Sequence, residues 1–322
     1  MVALQFLVLS VEVRIPVRQL NNLRNLLLLY NSKRFFYFII RILYEKYSFT
    51  TFALQQNQYK MKTCNKWFIL FICTILSFNL YAGDKNSFLK KQFTTKNGYK
   101  LNYRILYPLN YSPQKEYPVI LFLHGAGEKG DDNEAQLLHG GNMFASYENQ
   151  SKYPAIIIAP QCPKEEKWSS YVHPSENNGK REFPYSAPIT PAMKAVKEMV
   201  DNYIAKGIVD TKRIYVTGLS MGGMGSFDIV CRYPKFFAAA SPICGGANLK
   251  SLENFKGKTA FSIYHGRADN VVDPQFSRDA FSTLQKINAD VRYKEYPGVS
   301  HNSWDNAFVE PDFISWMFDH SL

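Results

Sequence analysis

Cysteine is scarce. Five occur in 322 residues, at 64, 73, 162, 231 and 244, with no CxxC pair and no His/Cys cluster at zinc spacing. A structural metal is therefore not expected. Internal repeats and low-complexity tracts are absent, which argues against propeller and solenoid architectures. Excess charge is missing where it would count. The formal net charge is +11, but residues 1–82 hold ten Lys/Arg and two Glu, leaving only +3 on 83–322. That is no electrostatic footprint for nucleic acid.

The amino-terminal eighty residues read as two layers. Met61 opens MKTCNK, followed by the apolar stretch WFILFICTILSFNL of about 14 residues and then YAGDKN. A spanning helix needs about 20 apolar residues, so 61–82 reads as a secretory signal peptide, with cleavage after Ala82 or Gly83. Cys73 lacks the small preceding residue of a lipidation site, so no stable membrane anchor is expected. The expected location is secreted or periplasmic. Residues 1–60 contain LLLLY and FFYFIIRILY, no Gly and one Pro, and read as an extension upstream of the true start. Cys162, Cys231 and Cys244 remain in 83–322. They allow at most one disulfide, which an oxidising compartment would permit.

Residues 83–322 carry a different pattern. KQFTTKNGYKLNYRILYP alternates around Asn97-Gly98, the signature of a hairpin. Short apolar runs follow at 118–125, 155–161, 213–220, 237–246, 259–266 and 291–298. Continuous rather than alternating hydrophobicity marks strands covered on both faces. Stretches 191–207, 222–234 and 274–287 space their apolar residues by three and four, as helices do. Strand alternating with helix predicts one doubly wound, mostly parallel α/β domain with an antiparallel hairpin at its start. In such sheets the ligand site lies beyond the carboxyl ends of the strands.

The chemistry-bearing residues fall at that edge. GLSMGG (218–223) sets Ser220 between glycines, after a strand and before a helix. That is where a serine nucleophile is held on a sharp turn. A serine hydroxyl needs a base, and the base an orienting acid. Asp269, in HGRADNVVDP, is the candidate acid, while Asp273 is better placed to cap the helix after it. His301, in YPGVSHNSW, is the candidate base, being the one histidine in both the right order and a loop. The backbone N–H groups of Met221 and Ala126 are the expected oxyanion donors. His124, beside Ala126, also reads as a buried structural histidine. No cofactor or metal is required by this chemistry.

Together, HGAGEKGDD, APQCP, DTKRIYVTGLSMGGMGSFD, FAAASPICGG, HGRADNVV and SHNSWDNAF resemble the α/β-hydrolase superfamily over about residues 90–320. More narrowly they are similar to secreted bacterial esterases of the prolyl-oligopeptidase-like group. These are often labelled predicted peptidases or phospholipase/carboxylesterase-like proteins, and they are related to feruloyl and acetylxylan esterases. The resemblance implies the same roles for Ser220, Asp269, His301, Met221 and Ala126. It departs from the large oligopeptidases in having no blade-like repeat.

Substrate choice rests on the loops. The long polar insertion 162–189 carries Trp168, Tyr171 and His173, and Trp304 follows His301 by three residues. Exposed, Trp168 and Trp304 would stack on a sugar or phenolic ring; buried, they pack the loops. The first expectation is a secreted serine carboxylesterase removing acyl groups, feruloyl or acetyl, from polysaccharides or small ester substrates. A serine peptidase acting on short peptides is the second. A non-catalytic carbohydrate-binding protein on a hydrolase scaffold is the third. The sequence leaves the oligomeric state open.

Overall fold

A computed structural model of the protein describes residues 83–322. The expectations for 1–60 and 61–82 lie outside the described residues. Eight strands form a single sheet: β1 Leu89–Thr94, β2 Lys100–Leu106, β3 Tyr117–Leu123, β4 Ile156–Pro160, β5 Val209–Leu219, β6 Ala239–Ile243, β7 Ala260–Gly266 and β8 Val291–Tyr296. Their order is β1-β2-β4-β3-β5-β6-β7-β8. β1 and β2 are the predicted hairpin, turning at Gly98 with φ +85°, and β2 is antiparallel to β4 as well. All later pairings are parallel.

The apolar runs are continuous because the sheet is covered on both faces. In β3, Val119, Leu121 and Leu123 enter one core and Ile120 and Phe122 the other. The helices are α1 Gly141–Ala145, α2 Tyr147–Lys152, α3 Pro191–Ala205, α4 Met221–Arg232, α5 Leu249–Glu253, α6 Gln275–Lys286, α7 Trp304–Ala307 and α8 Phe313–Phe318. α3 starts where its sequence says it should: the Thr190 hydroxyl accepts from Met193 N–H, with Pro191 at the first helical position. β5 begins at Val209, four residues before its apolar run, because Val209 pairs with Tyr117 across an irregularity in β3. The polar Asp210-Thr211-Lys212 between them leave no trace in a hydrophobicity pattern.

The chain leaves β3 toward β4 on one side and leaves the adjacent β5 toward β6 on the other. This is a topological switch point. Leu123 pairs with Gly218, and the loops after β3 and β5 emerge side by side. Among the described residues no helix is long and apolar enough to cross a membrane.

Candidate active site

The turn after β5 is built by close approach. A Cβ on Gly222 would lie 1.9 Å from the Leu123 carbonyl oxygen, and one on Gly218 would lie 2.6 Å from both that oxygen and the Gly222 carbonyl. Only glycine lets the start of α4 sit against the end of β3. Ser220 itself takes φ +53° and ψ −114°. A non-glycine residue there carries strain of about 1–3 kcal/mol, which the surrounding structure must hold. The Ser220 amide donates to Ile243 O at 2.9 Å and fixes the turn to the neighbouring strand.

Three residues from three strand ends meet there. His301 Nε2 lies 2.9 Å from Ser220 Oγ, and His301 Nδ1 lies 2.7 Å from Asp269 Oδ2. The Asp269 carboxylate is buried, and its other oxygen accepts from the amides of Val271 (2.8 Å) and Val272 (3.0 Å). Burial pushes this carboxyl up, but the hydrogen bonds from His265, His301, Val272 and Val271 outweigh it and hold the group well below the usual carboxylate range. It is therefore an anion, aimed at His301. Asp273 takes the other role, its side chain accepting from Gln275 N–H at the start of α6.

His265 joins this set, although the sequence reading passed over it because it precedes Asp269. It is fully buried, with Nε2 3.1 Å from Asp269 Oδ2 and 3.0 Å from Val272 O. A carbonyl only accepts, so Nε2 carries a proton shared between both oxygens. Nδ1 lies 2.7 Å from Ser277 Oγ, whose hydroxyl also reaches Gly245 O at 3.1 Å. The signal lay in the spacing: two groups four residues apart across the tight bend that follows β7.

Of the expected oxyanion donors, Met221 follows Ser220 directly and Ala126 lies on the loop after β3, next to the end of β5. Met221 opens α4, where the first amides have no acceptor within the helix. Ala126 opens a single 3-10 turn, Ala126–Glu128, and is exposed. His124 beneath them is buried. Its Nδ1 donates to Gly125 O at 2.6 Å and its Nε2 accepts from Cys162 N–H at 2.9 Å. Burial pushes this imidazole down to about 4, so it stays neutral.

The aromatic candidates separate. Trp168 is fully buried and donates from Nε1 to His124 O at 3.1 Å; it packs the insertion onto the domain and presents no face to a ligand. Tyr171 is buried too, while His173 is exposed and caps a 3-10 turn, Pro174–Glu176. Trp304 is half-buried against His301 and His139, with ring centroids 5.4 and 5.0 Å away. Between the insertion and α4 lies a cavity of about 240 Å³, lined by Phe183, Tyr185, Met224, Phe227 and Gly246 among others. Cys162, Cys231 and Cys244 are all free thiols, so the disulfide that the composition allowed is not formed.

The phospholipase/carboxylesterase family profile matches residues 110–312, more than half of the chain. The chain belongs to that family. A protein of rice (Oryza sativa subsp. japonica) named "probable carboxylesterase" is 28% identical over 213 residues, covering 63% of this chain and 88% of the relative. The crystal structure of a thermostable esterase superposes with a TM-score of 0.65 at 33% identity, over 74% of this chain and 64% of that one. A ferulic acid esterase from Anaeromyces mucronatus, solved with ferulic acid, superposes with a TM-score of 0.51 at 18% identity, over 71% of this chain and 91% of that one, and shares the fold. This member of the family is a carboxylesterase-type serine hydrolase with an α/β-hydrolase fold.

Proposed function

We propose that the protein is a secreted carboxylesterase that works through Ser220, His301 and Asp269 on acyl groups, feruloyl or acetyl, carried by polysaccharides or their fragments. The observation that carries the mechanism is the unbroken chain from Ser220 Oγ to His301 at 2.9 Å and from His301 to Asp269 at 2.7 Å. In this reading His301 Nε2 takes the Ser220 proton as Oγ attacks the ester carbonyl. Asp269 fixes the ring's orientation and stabilises the imidazolium. The amides of Met221 and Ala126 receive the tetrahedral oxyanion. Collapse expels the alcohol, protonated by His301, and leaves an acyl group on Ser220. Water, activated by the same histidine, then releases the acid. No step needs a cofactor.

The substrate class is supported by the shared fold with ferulic acid esterase and by the half-buried Trp304 beside His301. Secretion rests on the Met61–Ala82 pattern alone, and N-terminal sequencing of the native protein tests it: a start near residue 83 is expected, and any peptide from 1–60 would refute the assigned start. The activity test compares methyl ferulate and acetylated xylan with short peptide anilides, using Ser220→Ala as control. Ester turnover lost in the variant is expected. Peptide turnover above ester turnover would favour a peptidase. Saccharide binding with no turnover of either would favour a binding protein.

A further inference from the structure

Arg181 reaches out of the 162–189 insertion to both sides of the nucleophile. Its Nη1 approaches Met224 Sδ at 4.0 Å, and its Nη2 donates to Val271 O at 3.3 Å. Met224 lies in the first turn of α4, with its amide donating to Ser220 O, and it lines the cavity beside the insertion. The Val271 amide is one of the two that hold Asp269. The guanidinium is thus fixed between the helix of the nucleophile and the loop of the acid, 5.3 Å from the centroid of the Tyr171 ring.

Its partners are poor ones. A guanidinium has five N–H donors; here a thioether, one carbonyl and the Tyr171 hydroxyl engage three, and none of them carries a charge. The other described arginines are better served. Arg213, Arg232, Arg267, Arg278 and Arg292 each pair with a carboxylate, and buried Arg104 donates to two carbonyls. The carboxylate that acts on Arg181 is Asp269, whose oxygens are already taken by His301, His265 and two amides. A half-buried cation whose acting carboxylate is committed to other donors is only partly compensated, and an arriving carboxylate supplies the missing charge.

We propose that Arg181 recognises a carboxylate on the substrate, so that the esterase favours esters whose acyl or alcohol part is itself anionic. The inference rests on the reading of Ser220 as nucleophile. The planar fork, steadied by Tyr171, suits bidentate binding of a carboxylate.

The test uses two matched substrate pairs with the purified protein. Mono-4-nitrophenyl adipate against 4-nitrophenyl hexanoate places the carboxylate on the acyl side. Acetylated glucuronate against acetylated glucose places it on the alcohol side. Arg181→Gln keeps a donor for Val271 O without the charge. It is expected to lower the anionic-to-neutral ratio of kcat/KM by about tenfold or more in one pair, with Arg181→Lys losing less. The pair that collapses assigns the side. Ratios unmoved in both pairs overturn the proposal. So does an equal fall in Lys180→Ala, an exposed neighbour, since that would reflect the general field of the insertion. A second readout needs no turnover: calorimetric binding of monomethyl adipate to Ser220→Ala, expected to weaken about tenfold when Arg181→Gln is added. Equal affinity, or none in either variant, overturns the proposal. Loss of turnover on every ester, with this binding difference intact, would instead bring down the nucleophile reading alone.

Discussion

Asp269 accepts four N–H groups, two from histidines and two from the backbone. Such a carboxylate has no freedom to rotate away from His301, and His265 is the part of that clamp that holds the same oxygen. Replacing it tests positioning rather than chemistry. His265→Leu, which has no donor, should lower kcat by about tenfold, the worth of one hydrogen bond to a charged group, with little change in KM. With one donor gone, Asp269 Oδ2 is held by His301 alone, so a fall in kcat at unchanged KM is the mark of a misaligned acid, and an unchanged kcat would show that the remaining three donors suffice. Ser220→Ala is the reference. It should reduce kcat by roughly four to six orders of magnitude while leaving the thermal unfolding midpoint in place.

At the scale of elements, the turn that carries Ser220 depends on backbone contact between β3 and α4. Gly222→Ala drives a methyl into Leu123 O, at 1.9 Å, with backbone on both sides and nothing free to yield. A loss of about 3 kcal/mol or more is expected in urea denaturation, with activity falling alongside it. This turn was legible in the sequence because glycines and a serine after an apolar run have few other uses. The strands were legible for a related reason: burial on both faces removes polar residues from a run, as in β3. The insertion was harder to read. A polar segment without periodicity does not reveal which of its aromatics point inward, and Trp168 is buried by the His124 carbonyl and α4 rather than by its own neighbours. Trp168→Ala should cost about 3–5 kcal/mol of stability. Unchanged stability with a raised KM would restore the stacking role. His265 stayed hidden because chain order, which singled out His301, says nothing of a histidine that supports the acid from the other side.

For the whole molecule, burial of the site makes stability depend on pH in a way that can be assigned. His124 is held neutral, from the ordinary 6.5 down to about 4. The unfolded chain takes up a proton across that interval and the folded chain does not. This group therefore leaves stability intact above about pH 6.5 and removes up to about 3 kcal/mol as pH falls to about 4. Asp269 is depressed, so its contribution is present above the ordinary carboxylate value and is lost only below it, outside the His124 window. Glu128 runs the other way. Burial, only partly offset by His139, raises its carboxyl, so falling pH relieves it and blunts the overall slope. The His124 contribution is isolated by difference. His124→Gln lowers stability at pH 7.5 but has no proton to gain, so the gap between it and the parent protein should narrow by about 3 kcal/mol on going to pH 4. Urea denaturation at a series of pH values measures that gap. A constant gap would mean that His124 takes up its proton in the folded protein as readily as in the unfolded chain. The 2.9 Å contact from Cys162 N–H to His124 Nε2 would then be donor against donor at pH 4, and the loop holding Ala126 would rest on a cation instead of a neutral ring.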